Sequence, residues 1–265
     1  MHTRLAILLR ACLLLLAIPS LTRAEIKTQE LEYKQGDTAL QGFVAWDDSI
    51  KGKRPGVLVV HEWWGHNQHS RDQAVRLAKA GYVAFALDMF GKGKVATHPD
   101  DAKKFVAEAT SNFPLEKARF EAALAQLKKR PEVDAQKIAA IGYCFGGAVV
   151  LDMLRSGEQL GLVATFHGAL GSKLKAKPGS KARVLILHGK DDPMIPPEQV
   201  AAFKQEMDAA KVRYEVIEYP GAKHGFTNPA ADKAGVPGLA YNAKADEASF
   251  AALRKGLEEE FAAKR

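Results

Sequence analysis

The segment spanning residues 138–154 constrains the fold of this 265-residue chain more than any other part of the sequence. An apolar run at 138–141 leads into Gly142-Tyr143-Cys144-Phe145-Gly146-Gly147, and a second apolar run follows at 148–154. A nucleophile flanked on each side by one residue and a glycine, between a strand and a helix, is the pattern of a nucleophile elbow. The pattern predicts a cysteine nucleophile, Cys144, in a hydrolase that forms an acyl-thiol intermediate.

The first 24 residues are predicted to be a secretory signal. Arg4 gives them a basic start, residues 5–18 are apolar apart from Arg10, and Thr22-Arg23-Ala24 offers a cleavage site. A membrane anchor is the alternative, but the apolar stretch is too short to span a bilayer and Arg10 interrupts it. We therefore expect a periplasmic or secreted protein with no stable membrane anchor.

Removing the signal leaves enough residues for one large domain, residues 25–265, with a well-buried core. The chain carries 38 basic and 31 acidic residues, a net charge of +7. This positive excess is mild and forms no basic block, so the sequence does not predict nucleic-acid binding.

The chain has two cysteines, and Cys12 lies within the predicted signal. Cys144 is then the only thiol of the mature protein, which can form no internal disulfide. An unpaired thiol in an exported protein is exposed to oxidation, so we interpret Cys144 as functional rather than as an inert buried cysteine.

Short apolar runs alternate with amphipathic segments along the rest of the chain. The predicted strands cover residues 31–34, 40–46, 57–60, 82–87, 138–141, 162–166, 184–187 and 214–219. The predicted helices cover residues 70–79, 99–109, 115–129, 148–154, 197–210 and 245–263. The first two strands form a hairpin, and the alternation that follows predicts an α/β fold with a mostly parallel central sheet covered by helices on both faces.

A cysteine nucleophile needs a base and a third group that orients the base. In elbow-containing folds the chain order is nucleophile, acid, histidine. The loop at 188–193 follows a predicted strand and offers Asp191 and Asp192, and the loop at 221–226 follows the last strand and offers His224. Either aspartate can be the acid, but the pattern His-Gly-x-x-Asp favours Asp192 and leaves Asp191 to solvent or to capping.

An acyl-transfer site also needs two N–H donors for the oxyanion. We assign one to the Phe145 amide at the start of the elbow helix and the other to the Trp63 amide after the strand at 57–60. Trp63 and Trp64 either form a wall of the acyl pocket or simply pack at the sheet edge.

Glu62 precedes Trp63 and either caps the strand or belongs to the site. In the site, its negative charge would oppose formation of a thiolate at Cys144. Our hypothesis is that substrate binding displaces Glu62 and activates the thiol.

Five histidines lie close to the candidate site in sequence or topology. His61, His66 and His69 are clustered, but their spacing is not that of His-Glu-x-x-His, and Trp63-Trp64 would crowd a metal. We therefore predict neither a metal nor another cofactor. His167 and His188 are interpreted as structural.

Taken together, these residues resemble the dienelactone hydrolase family. The segments that carry the resemblance are His61-Glu62-Trp63-Trp64-Gly65, Leu87-Asp88-Met89-Phe90-Gly91, Gly142 to Gly147, His188 to Pro193, and His224-Gly225-Phe226. The resemblance implies the α/β-hydrolase fold, a three-layer sandwich. It also implies a Cys144–His224–Asp192 triad, Glu62 as partner of the resting thiol, and an oxyanion hole from the Trp63 and Phe145 amides.

Two positions depart from the family pattern. Members that hydrolyse dienelactone hold its carboxylate with arginines, and the corresponding positions here are Lys92 and Asn228. Lysine is a point charge rather than a bidentate fork and asparagine carries no charge, so the resemblance does not favour dienelactone as substrate. Trp64, Lys92 and Asn228 are the predicted residues of the substrate pocket.

The sequence thus predicts a monomeric hydrolase of small-molecule carboxylic esters or lactones. Amide or thioester cleavage on the same triad is one alternative, and a non-catalytic small-ligand-binding protein is another. A thiol redox protein is disfavoured because the mature chain has no resolving cysteine.

Overall fold

The computed structural model describes residues 25–262. The predicted secretory signal therefore lies outside the described residues, and so does the end of the last predicted helix. Among the described residues, no helix combines the length and the apolar character needed to cross a membrane.

A sheet of eight strands forms the centre of the molecule. The strands are β1 (Ile26–Gln35), β2 (Thr38–Asp47), β3 (Arg54–Val60), β4 (Val83–Leu87), β5 (Val133–Tyr143), β6 (Leu162–Phe166), β7 (Arg183–Gly189) and β8 (Tyr214–Tyr219). Their order is β1-β2-β4-β3-β5-β6-β7-β8. The β1–β2 and β2–β4 pairs are antiparallel, whereas every other neighbouring pair is parallel. The predicted hairpin and mostly parallel sheet are confirmed.

Helices cover both faces of this sheet. They are α1 (Gln68–Lys79), α2 (Pro99–Ala109), α3 (Phe113–Lys128), α4 (Phe145–Ser156), α5 (Pro197–Ala210) and α6 (Ala243–Phe261), with a short 3-10 turn at Ala231–Lys233. One buried apolar cluster joins the sheet to α3, α4 and α5, and a second joins its other face to α1 and α6. The chain therefore has the three-layer α/β-hydrolase architecture that the resemblance implied.

The predicted elements all form, with boundaries that differ at polar ends. β1 begins at Ile26 rather than at residue 31, because its exposed polar residues pair along the whole of β2. The helix predicted at 148–154 begins at Phe145, since the residues after the nucleophile are already helical.

Parallel strands bring their carboxyl ends to one edge of a sheet, and α/β proteins bind ligands at that edge. In this chain β3 ends before Glu62, β5 before Cys144, β7 before Asp192, and β8 before His224. The topology thus brings residues far apart in sequence to the same edge.

Candidate active site

Cys144 occupies the tight turn between β5 and α4. Its backbone has φ 52° and ψ −114°, in a region that residues with a Cβ rarely adopt. Such a conformation costs on the order of 1–3 kcal/mol and persists only where the surroundings fix it. The Cys144 N–H donates to the Phe166 carbonyl at 3.0 Å, and the Cys144 carbonyl accepts from Gly147 N–H at 3.0 Å.

The flanking glycines are required by close packing of backbone. A Cβ on Gly142 would lie 2.0 Å from the Gly146 oxygen, and a Cβ on Gly146 would lie 2.4 Å from the Val60 oxygen. These distances are below any real Cβ contact, so only glycine fits between β5, α4 and β3. The turn therefore presents the partly exposed thiol of Cys144 at the sheet edge.

The structure brings His224 and Asp192 to this thiol. His224 Nε2 lies 3.0 Å from Cys144 Sγ, and His224 Nδ1 lies 2.8 Å from Asp192 Oδ2. The other oxygen of Asp192 accepts from the Met194 N–H at 2.8 Å, which fixes the carboxylate in its loop. Asp191 is exposed, so of the two candidate acids it is Asp192 that contacts the imidazole.

Burial of His224 disfavours its positive charge, but the charge interaction with Cys144 and the hydrogen bond that Nδ1 donates to Asp192 outweigh burial. Together they raise the pKa of His224 from 6.5 to about 10. An imidazolium beside a sulfur favours the thiolate, which is the nucleophilic form of cysteine. The arrangement places a protonated imidazole beside the sulfur, where it can stabilise the thiolate that attacks a substrate.

The histidines interpreted as structural lie beside this pair. The His167 ring centroid is 5.2 Å from that of His224, and His167 Nε2 is 2.9 Å from the Thr227 hydroxyl. Burial lowers the pKa of His167 well below its ordinary value and also lowers the pKa of His188. Both shifts favour the neutral ring, and His167 packs against His224.

The predicted oxyanion donors border the same cleft as the thiol. Trp63 and Phe145 both line it. Phe145 is the first residue of α4, so its N–H has no partner within the helix. Within residues 25–262 the Trp63 N–H has no hydrogen-bonded acceptor either. Two residues with unpaired backbone N–H groups thus line the cleft that contains the nucleophile.

Glu62 is buried and contacts Asn228, which follows β8, and His69, which lies on α1. Its Oε2 accepts a 2.6 Å hydrogen bond from the Asn228 side-chain amide and lies 3.9 Å from His69 Nδ1. The predicted partner of the resting thiol is therefore held by Asn228, and no hydrogen bond joins the described side chains of Glu62 and Cys144.

Of the clustered histidines, His61 and His69 have hydrogen-bond partners among the described residues, whereas Nε2 of His66 is buried without one. His61 Nδ1 donates to the Glu62 carbonyl at 2.6 Å, and His61 Nε2 accepts from Met89 N–H at 3.1 Å. Burial lowers the pKa of His66 to about 3. Across the described part of the chain, no group of three or more His, Cys, Asp or Glu side chains is arranged to hold a metal ion.

A largely apolar cleft of about 760 Å³ opens over Cys144 and His224. Of the residues predicted for the substrate pocket, Trp64 and Asn228 instead line a separate cavity of about 290 Å³. Lys92 forms an exposed ion pair with Glu32 and borders neither cavity. The structure does not bring these three side chains to the cleft.

The cleft is formed instead by helices and a loop that the sequence did not single out. Val106, Phe113 and Glu116 contribute from α2 and α3, Asp152 from α4, and Lys173 and Leu174 from the loop after β6. One signal was available in the sequence. Glu116 lies at helical spacing with Phe120, Ala123, Leu124 and Leu127, so it is a charged residue within the apolar stripe of α3.

Known proteins resemble this chain over most of its length. The family model described as "Dienelactone hydrolase family" matches residues 40–261. A Yersinia pestis protein provisionally named carboxymethylenebutenolidase is 30% identical over 202 residues, which cover 72% of this chain and 75% of that protein.

Two solved structures superpose over most of the chain. A dienelactone hydrolase-like promiscuous phosphotriesterase from metagenomic libraries is 35% identical with a TM-score of 0.83, covering 90% of this chain and 99% of that one. A protein named m3DLH is 37% identical with a TM-score of 0.83, covering 89% of this chain and 99% of that one.

Proposed function

The chain belongs to the dienelactone hydrolase family and is a carboxylic ester or lactone hydrolase, and we propose that it acts through a Cys144–His224–Asp192 triad. The observation that carries the proposal is the pair of contacts made by His224, 3.0 Å to the thiol and 2.8 Å to the carboxylate. This is the relationship of nucleophile, base and orienting acid that covalent catalysis requires.

In the proposed mechanism the thiolate of Cys144 attacks the carbonyl carbon of the ester. The carbonyl oxygen becomes an oxyanion, which the Trp63 and Phe145 N–H groups stabilise. The C–O bond to the leaving group then breaks, and the His224 imidazolium gives its proton to the departing alkoxide. The products of this half-reaction are an alcohol and a thioester on Cys144.

Water completes the cycle. Neutral His224 takes a proton from water as the water oxygen attacks the thioester carbon. The C–S bond breaks, the carboxylic acid leaves, and the thiolate–imidazolium pair is restored. Asp192 accepts a hydrogen bond from Nδ1 of His224 throughout, so that Nε2 faces the sulfur.

The test is a set of short 4-nitrophenyl esters and small lactones assayed with the wild type, Cys144→Ala and Cys144→Ser. We expect turnover by the wild type and loss of at least about 10³-fold with alanine, since the covalent step is removed. Rapid quenching and intact-protein mass spectrometry should reveal an acyl adduct on the wild type and none on Cys144→Ala. An adduct that survives in Cys144→Ala would place the nucleophile elsewhere.

The same assay separates the alternatives. Turnover of anilides or thioesters at rates above those of esters would favour an amide or thioester hydrolase on the same triad. Ligand binding without hydrolysis of any activated ester would favour a binding protein.

A phosphotriester is a second candidate substrate. The observation that favours it is the 35% identity to a promiscuous phosphotriesterase over 90% of this chain. A neutral diethyl 4-nitrophenyl phosphate should then release 4-nitrophenol with the wild type but not with Cys144→Ala.

We also propose that the mature chain, residues 25–265, is a single-domain monomer that works outside the cytoplasm. The support is the basic start, the apolar run and the small residues before Glu25. Sequencing the amino terminus of protein from the periplasmic fraction tests export, and light scattering of that protein tests the monomer.

A further inference from the structure

The cleft over Cys144 contains one buried carboxyl group that has no partner. The Glu116 residue is only 5% exposed, and its side chain forms no hydrogen bond to any residue of the described chain. Its remaining exposed surface borders the cleft. The Glu116 oxygens keep some accessible surface, so a carboxyl without a protein partner that opens onto a cavity is placed to hydrogen-bond a ligand there.

Asp152, on the facing helix α4, borders the same cleft. Burial raises the pKa of Glu116 from 4.5 to about 8, and the charge of Asp152 adds to this effect. Glu116 is therefore protonated at neutral pH and can donate a hydrogen bond. Asp152 Oδ1 accepts from Arg155 at 3.3 Å, and Arg155 also pairs with Glu206 at 3.0 Å, so this group of three keeps a net negative charge.

The other charged groups at the cleft do not neutralise this region. Lys173 lies in the loop after β6 and is exposed, so water screens its charge. His224 is committed to Cys144 and Asp192. No arginine is present among the described residues that line the cleft.

Helix stability does not account for Glu116. An acid in the first turn of a helix is worth about 0.3–1 kcal/mol when it is exposed, but burial of an unpaired carboxyl costs more than that. The amino terminus of α3 is already capped by Asn112, whose side chain accepts from the Leu115 N–H at 2.9 Å. A buried acid that destabilises the fold at this position is expected to serve the site.

We propose that Glu116 and Asp152 form a polar subsite that accepts a neutral or cationic hydrogen-bonding group of the substrate and rejects a carboxylate. The subsite donates through the Glu116 carboxyl and accepts through the Asp152 carboxylate. A substrate carboxylate would face Asp152 in an apolar cleft, where like charges repel more strongly than in water. This inference rests on the proposed function, because it concerns the substrate that Cys144 attacks.

The test uses three 4-nitrophenyl esters with four-carbon acyl chains that end in a neutral, an anionic or a cationic group. They are the butyrate, the monosuccinate and the 4-(trimethylammonio)butyrate, with the six-carbon series as a second set. We expect kcat/KM for the anionic ester to be at least about 10-fold below both others, which corresponds to about 1.4 kcal/mol. In Asp152→Asn this ratio should fall to within about 3-fold.

Glu116→Leu tests the hydrogen bond. It should reduce kcat/KM for 4-nitrophenyl 4-acetamidobutyrate, which has a polar end, more than for the butyrate. Glu121→Gln, at an exposed position on α3, is the matched control. It should change neither the ratio of kcat/KM between the charged and neutral esters nor the ratio between the acetamidobutyrate and the butyrate. A wild type that prefers the monosuccinate would overturn the proposal, as would an unaltered charge ratio in Asp152→Asn protein of wild-type thermal stability.

A measurement without turnover separates this inference from the proposed function. The corresponding 4-nitroanilides can be titrated calorimetrically into Cys144→Ala, with and without Asp152→Asn. The subsite is supported if the anionic anilide binds more weakly than the other two and if Asp152→Asn removes this difference. This outcome would support it even if no ester is hydrolysed. Equal binding of all three anilides contradicts it even if Cys144 is the nucleophile.

Discussion

Asn228 donates a hydrogen bond of 2.6 Å from its side-chain amide to the carboxylate of Glu62, and both residues are buried. At the position where the resemblance implies an arginine that contacts substrate, this chain has a neutral donor that holds a residue of the protein itself. The Asn228 oxygen is also used, since it accepts from the Ala230 N–H at 2.9 Å. Asn228 is therefore a positioning residue for Glu62.

Removing either member of this pair should destabilise the protein. Asn228→Ala leaves a buried carboxylate without its donor, and we expect the free energy of unfolding to fall by about 1–3 kcal/mol. The measurement is urea unfolding of Asn228→Ala, Glu62→Ala and the double variant. A double variant as unstable as the sum of the two single variants would mean that the hydrogen bond contributes nothing.

Glu62→Gln addresses the effect of the carboxylate on the thiol. Glutamine can still accept from Asn228 but carries no charge, so a thiolate at Cys144 should be favoured and iodoacetamide should react several-fold faster at neutral pH. Mass spectrometry of the alkylated protein over time gives the rate. A rate equal to that of the wild type would contradict the hypothesis that Glu62 lowers the reactivity of the resting thiol.

Asp192→Asn should lower the pKa of His224, because the hydrogen bond that His224 Nδ1 donates to Asp192 is among the causes that raise it. The imidazolium of the variant then loses its proton at a lower pH. The neutral ring is also no longer held in the tautomer whose Nε2 is free to accept a proton. We expect kcat to fall by about 10²–10⁴-fold.

The adjacent aspartate supplies the control for this prediction. Asp191 is exposed, and Asp191→Asn should keep kcat within about 2-fold of the wild type. Histidine NMR over the pH range 6–11 gives the imidazole pKa directly. Equal losses in the two variants would contradict the assignment of Asp192 as the orienting acid.

The positions of Cys144, Asp192 and His224 could be predicted because each follows a parallel strand, and such strands end at one edge of the sheet. The lining of the cleft could not be predicted in this way. It depends on how α2, α3 and the loop after β6 pack over that edge, and no local pattern specifies that packing. The resemblance places Lys92 where family members have a substrate-binding arginine, but here its side chain forms an exposed ion pair with Glu32.

Glu116 and Asn228 are further residues whose roles could not be predicted from the sequence. A charged residue within an apolar helical stripe signals a buried acid, yet the sequence does not say which cavity the acid borders. The hydrogen bond between Asn228 and Glu62 joins residues 166 positions apart, and only the assembled fold reveals it.

Gly146→Ala should damage both stability and activity. Its Cβ would lie 2.4 Å from the Val60 oxygen, and backbone cannot move aside as a flexible side chain can. We expect a loss of at least about 1–3 kcal/mol in the free energy of unfolding, and displacement of the elbow should reduce kcat as well. Gly171→Ala is the control, because a Cβ there has nothing closer than 4.0 Å. Similar effects of the two substitutions would argue against tight packing at the elbow.

Glu116→Gln should become more stable relative to the wild type as the pH rises from about 4.5 to about 8. The pKa of Glu116 is 4.5 in its ordinary state and about 8 in the fold, so the folded protein binds more protons than the unfolded chain over this interval. The free energy of unfolding of the wild type must therefore fall as pH rises through this range, and the loss is complete above the folded pKa. Glutamine does not ionise, so the variant escapes this loss.

Urea unfolding at pH 4.5, 6.5 and 8.5 measures the difference between the two proteins. We expect the advantage of Glu116→Gln to grow by about a few kcal/mol across the series, and the exposed control Glu121→Gln to differ from the wild type by a nearly constant amount. A constant difference for Glu116→Gln would mean that the carboxyl ionises in the cleft as it does in water. Of the two residues of the proposed subsite, only Asp152 would then differ from an ordinary surface carboxylate.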